Sequence, residues 1–132
     1  SEKLLQACAS LGDPARARSI IQDMRFHDVD LSPEMYYHLI SLFATALRKQ
    51  KVTETERLQH LRCTWHVVAD ARRHHAELDW TRVLNEVMSV YVAGGFRNFA
   101  VDMLQQFALF NVQPDMRTYG QLLEMLGRDL KD

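Results

Sequence analysis

NVQPDMRTYGQLLEML (residues 111–126) sets a Pro-Asp pair before Thr118-Tyr119 and then runs on with apolar residues at helical spacing. Such a stretch is either a loop leading into an amphipathic helix or the seam between two copies of a repeat. Tyr119, Leu122, Leu123 and Leu126 fall at i, i+3, i+4 and i+7, one face of a helix. The same template fits Leu84, Val87, Met88 and Tyr91, and again Tyr36, Leu39, Ile40 and Phe43; it fits Ser1, Leu4, Leu5 and Cys8 with one polar member. The second members, Leu4, Leu39, Val87 and Leu122, are spaced by 35, 48 and 35 residues, so the period is 35 with one insertion of 13.

A second face follows the first in two of these units. Ala17, Ile20, Ile21 and Met24 begin 13 residues after Leu4, and Ala100, Met103, Leu104 and Phe107 begin 13 after Val87. Gly12 and Gly95 each stand five residues before the leading alanine, where a positive φ closes a helix. In LGDPARA, Asp13 suits an N-cap and Pro14 a first helical turn. Each unit is therefore expected to be helix, tight turn, helix, with small Ala17 and Ala100 letting the pair approach closely. In the second unit the extra residues are expected to lengthen the loop and the next helix, which starts at a Thr53/Glu56 capping box. Trp65 falls where the other units carry alanine, which predicts a splayed or shifted hairpin there. The fold class is all-α: a solenoid of antiparallel pairs, about seven helices, in one domain over 1–132. Its units run about 1–32, 33–79 with the insertion, 80–115 and a partial 116–132.

Composition agrees with a helical globular chain. Of 132 residues 47% are hydrophobic and 25% charged, with few Gly and Pro. A net charge of −1 argues against strong nonspecific polyanion binding, and the basic residues lean to arginine. No apolar run approaches the roughly 18 residues needed to span a bilayer. Cys8 and Cys63 are too few and too far apart for a finger or a disulfide framework, which points to a reducing compartment. A first residue other than Met and no leader-like segment suggest a fragment or processed form.

A 35-residue unit with Gly in its turn and Pro-Asp before a Tyr-led helix resembles the pentatricopeptide repeat. LNEVMSVYVAGGFRNFAVDMLQQFALFNVQPD running into MRTYGQLLEML carries the resemblance best, through Ala100, Pro114-Asp115 and Thr118-Tyr119. LLQACASLGDPARARSIIQDM matches too, although HDVDLSPEMYY brings its proline two residues late. The tetratricopeptide repeat, with a period of about 34 residues, is the nearest rival; both 35-residue intervals and the terminal Pro-Asp go against it. The run AVDMLQQFALFNVQPDMRTYG, with an interrupted second unit, is similar to the repeat domain of protein-only ribonuclease P. That family joins such repeats to a metal-dependent nuclease domain acting on precursor tRNA. Other organellar RNA-maturation and mitochondrial-ribosome factors share the pattern.

The resemblance implies RNA as partner and a mitochondrial address. It implies one base read per repeat by the residue after the Tyr position together with the last residue of the unit. Here these are Asn85 and Asp115, a combination that favours uridine in the family, flanked by Arg82 and Arg117. Tyr37 is expected to stack on a base, but Tyr37/Trp80 and Glu2/Ser32 are not familiar selecting pairs, and Gly120 lacks a partner. The competing expectation is that Asn85 and Asp115 cap or solvate their helices. The fragment is expected to position RNA without chemistry of its own, with no cofactor and no metal; a helical-repeat scaffold for protein partners is the alternative. As end units of a solenoid need covering, further chain or a partner is expected over the last one.

Other constellations are weaker. His60, Cys63 and His66 drift around a helix with no fourth zinc ligand. His75-x-Glu77 lacks the cysteines of a zinc deaminase, and Asp28 with Asp30 suits an acidic turn. There is no Gly-rich phosphate loop or nucleophile elbow. ARRHHAE (71–77), the most basic run, suits a solvated face or a contact with phosphate or an acidic partner.

Overall fold

Every described helix start but that of Arg97–Leu109 carries a local chemical reason. A computed structural model describes residues 14–75 and 77–131, which form six α-helices and no strand. Helix α1, Pro14–Phe26, opens on the expected proline. Helix α2, Pro33–Lys49, opens on Ser32, whose side chain accepts from Met35 N, with Pro33 in the first turn. Helix α3, Glu54–His74, opens on the expected capping box, with both Thr53–Glu56 bonds formed. Helix α4, Trp80–Gly94, is capped by Asp79 accepting from Arg82 N, and α6, Met116–Lys131, by Asp115 accepting from Thr118 N. Helix α5, Arg97–Leu109, follows α4 directly after Gly95 and Phe96.

Three helices end alike. Gly95 takes φ 71°, with Gly95 N bonding Val92 O and Phe96 N bonding Tyr91 O. Asp28 (φ 55°) and Asn111 (φ 56°) close α1 and α5 with the same pair of bonds, followed by Val29 and Val112. This is the Schellman geometry, in which a left-handed residue satisfies the last carbonyls. Asp28 and Asn111 stand at equivalent places in the period, so the repeat extends to the way its second helix stops. Asp28, weighed above as an acidic turn, is that stop.

Helices α2, α4 and α6 lie side by side, the α2–α4 contact being the most extensive, and each also packs against its sequence neighbours. The periodic faces supply the core. Tyr36, Leu39, Ile40 and Phe43 are buried, as are Leu84, Val87, Met88 and Tyr91, and Ala100, Met103 and Phe107 lie beneath α5. The faces expected on Ser1, Leu4, Leu5 and Cys8, the turn at Gly12, the Asp13 cap and the packing of Ala17 lie outside the described residues.

Two expectations for the second unit take definite form, and one for α6 changes. The insertion lengthens chiefly the helix and the loop by less: α3 has 21 residues against 13 in α5, and residues 50–53 join α2 to α3 where residues 95–96 join α4 to α5. The hairpin is shifted: Thr64 is the fully buried small residue, while Trp65 is half-buried and donates its indole N–H to Tyr91 Oη at 2.8 Å. On α6 the template face is not the core face. Tyr119, Leu123 and Leu126 are exposed, Leu123 to 68%, and the helix inserts Thr118 and Met125 instead. The equivalent faces of α2 and α4 are covered by the helices that follow them; among the described residues no helix follows α6.

The α4–α5 turn is packed tightly enough to make a prediction. A Cβ on Gly94 would lie 2.5 Å from a Phe96 ring carbon and 3.2 Å from Leu47 Cδ1. The Phe96 ring is buried, Arg57 sits 4.2 Å over it, and Arg57 also donates to Gly94 O at 2.6 Å. Gly94→Ala is therefore expected to cost about 1–3 kcal/mol through forced repacking, read as a lower urea midpoint at unchanged slope.

Candidate nucleic-acid interface

The four residues tied above to base selection sit on the seam between α4 and its neighbours in the row. Asn85 projects from α4 and is 2% exposed. Its Nδ2 donates to Asp115 Oδ1 at 2.9 Å, and its Oδ1 accepts from Thr118 Oγ1 at 2.6 Å. Thr118 N also donates to Asp115 Oδ1, and Asp115 N to Thr118 Oγ1. The Asn85 bond, aided by those from Thr118, holds the exposed Asp115 carboxyl below the usual carboxylate range. Asp115 is thus at once the cap of α6 and the partner of Asn85.

Arg82, one turn before Asn85 on α4, and Arg117, which reaches from α6 to Glu86 and Ser89 just after it, are both nearly half exposed. Arg82 Nη1 reaches Glu34 at 3.4 Å, and its guanidinium lies 3.9 Å over the Tyr37 ring. Arg117 Nη1 reaches Glu86 at 2.8 Å, and its Nη2 donates to Ser89 Oγ at 3.3 Å. Each arginine therefore bridges back to the preceding helix of the row. Tyr37, expected to stack on a base, is buried, and its hydroxyl accepts from Asp79 N at 3.1 Å. Arg82 occupies its ring face, so a base arriving here meets the guanidinium, not the phenol.

The seam repeats. Tyr37 and Asn85 occupy the same place in the period, and each binds the aspartate that caps the next helix of the row, Asp79 or Asp115. Ser89 and Gln121 extend the second seam at 2.6 Å, and Gln121 Nε2 donates to Asn85 O. Thr118, Glu34 and Glu86 were not foreseen as members. Thr118 carries a signal in hindsight, since Asp115-x-x-Thr118 has capping spacing; the counter-ions come from other helices.

A second polar centre was also missed. Tyr36 Oη donates to Asp70 Oδ2 at 2.8 Å, and Arg25 (3.1 Å), Arg73 (3.4 Å) and His74 (3.7 Å) surround the same carboxylate. The basic run 71–77 serves here: Arg73 and His74 face Asp70, while Arg72 lies 4.8 Å over the Phe110 ring. His75 Nε2 lies 2.8 Å from Leu31 O, and its ring is 3.7 Å from Glu77. Among the described residues no cluster of His, Cys, Asp and Glu could hold a metal, and no helix is long and apolar enough to cross a membrane.

No known protein family matches this chain, and neither does a curated protein or a solved structure.

Proposed function

We propose that this chain is a pentatricopeptide-like solenoid module that binds single-stranded RNA along the row formed by α2, α4 and α6. The observation that carries it is the Asn85–Asp115 bond bracketed by Arg82 and Arg117. By its donor and acceptor inventory, Asn85 spends one amide hydrogen on Asp115 and one lone pair on Thr118. One donor and one acceptor remain, the pair that the Watson–Crick edge of uridine complements. Guanidinium planes on either side supply stacking and phosphate neutralisation. As Asn85 is buried, base entry requires the α4–α6 seam to part and the Arg117–Glu86 bridge to yield. On this reading the module belongs to an organellar RNA-processing protein, mitochondrial by resemblance. It holds precursor tRNA for a nuclease domain elsewhere, as in protein-only ribonuclease P.

The exposed Tyr119, Leu123 and Leu126 of α6 favour a second reading, a helical scaffold in a ribosomal or RNA-processing assembly. Fluorescence anisotropy with labelled oligo(U) separates the two. Under the RNA reading Arg82→Ala with Arg117→Ala weakens binding about tenfold or more at low salt, with an unchanged circular-dichroism spectrum. Unchanged affinity in the double variant would remove this site.

A further inference from the structure

Helices α1 and α3, both packed against α2, leave a groove of about 410 Å³ between them. This is within the range of ligand-binding clefts. Its floor is apolar, made by Ile21, Leu31, Leu39, Phe43 and Val67. Its rim is basic. Arg25 stands on α1 and His66 and Arg73 on α3, against one carboxylate, Asp70. Asp70 is already matched by Arg25 and Arg73 at 3.1 and 3.4 Å, so these groups leave an excess of positive charge. The basic character continues along α3, because Arg62 lies one turn before His66 and both are exposed. From Arg62 to Arg73 the helix runs about 16 Å at roughly 1.5 Å per residue.

We infer that this groove docks an acidic amphipathic helix of a protein partner, with an apolar side chain seated on the floor and carboxylates along the Arg62–Arg73 line. Charge complementarity selects an acidic occupant. The floor selects a peptide over nucleic acid: its aromatic members, Tyr36 and Phe43, are fully buried, so no ring face is presented for a base to stack on, whereas the aliphatic Val67 is only half-buried and open to an apolar side chain. Aliphatic floors with charged rims are the helix-in-groove mode of recognition. The surface is distinct from the α4–α6 seam, and the inference stands whether or not that seam binds RNA.

The test uses the full chain and two fluorescein-labelled helical peptides with leucine on one face, one carrying glutamates on the other face and one carrying lysines. The glutamate peptide is expected to bind at least about tenfold tighter at low salt, and amide shifts should concentrate on α1 and α3. Arg62→Glu with His66→Glu, two exposed positions, should weaken that binding about tenfold while the melting curve stays in place. Equal binding of the two peptides overturns the inference. So do shifts centred on α6, or oligo(U) shifting the same α3 amides more strongly than the glutamate peptide.

Discussion

Met88→Asp is expected to leave the chain unfolded at room temperature, whereas Leu123→Asp at the equivalent place in the next unit changes stability by no more than about 0.5 kcal/mol. Met88 is fully buried between α4 and its neighbours, and Leu123 is 68% exposed. An unpaired carboxylate at Met88 loses its hydration without gaining a partner, a cost of several kcal/mol even when the group takes up a proton. Lost apolar burial and packing add about 2–5 kcal/mol. Typical domains hold only about 5–15 kcal/mol in all. At Leu123 water remains the surroundings, so nothing comparable is lost. Circular dichroism and urea titration of the two variants give the comparison. Similar losses at both positions would mean that α6 buries its template face after all.

Asp70 gives an expected dependence of stability on pH. Burial alone would raise its carboxyl, but the Tyr36 hydrogen bond, Arg25, His74 and Arg73 together hold it below the usual carboxylate range. The Tyr36 phenol is pushed up, first by burial and then by its bond to Asp70. A carboxyl depressed in the folded state stabilises the fold above its unfolded pKa of about 3.9, and that contribution disappears as pH falls through the lower folded value. Asp70→Asn removes this term while keeping the shape. The native chain should lose urea stability more steeply than the variant between about pH 5 and pH 2; parallel curves would contradict the assignment. Asp70→Ala at neutral pH should cost about 1–3 kcal/mol, chiefly because the buried Tyr36 hydroxyl loses its acceptor. The ion pairs add little, since Arg25 and Arg73 are 59% and 71% exposed.

These two cases also mark where the sequence is legible. Faces at i, i+3, i+4 and i+7 found the core of α2, α4 and α5, because burial follows the helical period wherever a helix has neighbours on that side. The same pattern on α6 misled about burial, because periodicity reports which residues share a face and not whether anything covers it. The Thr53–Glu56 box and the Gly95 turn were readable because capping is local in sequence. Asp70 was not, since its partners Tyr36 and Arg25 come from other helices and only the packed chain brings them together. Asn85 and Asp115 were paired by a repeat resemblance, and they do touch. Thr118, which closes the same knot, and the counter-ions Glu34 and Glu86 depend on helix spacing that no local pattern encodes.

Binding of labelled oligo(U) to the native chain across a salt series tests the proposed function most directly. RNA recognition on the α4–α6 seam predicts measurable affinity at low salt and a negative slope of log K against log salt, with the slope reduced by about 0.7 for each of Arg82 and Arg117 removed. No binding at low ionic strength, or binding whose salt slope ignores both arginines, would contradict it.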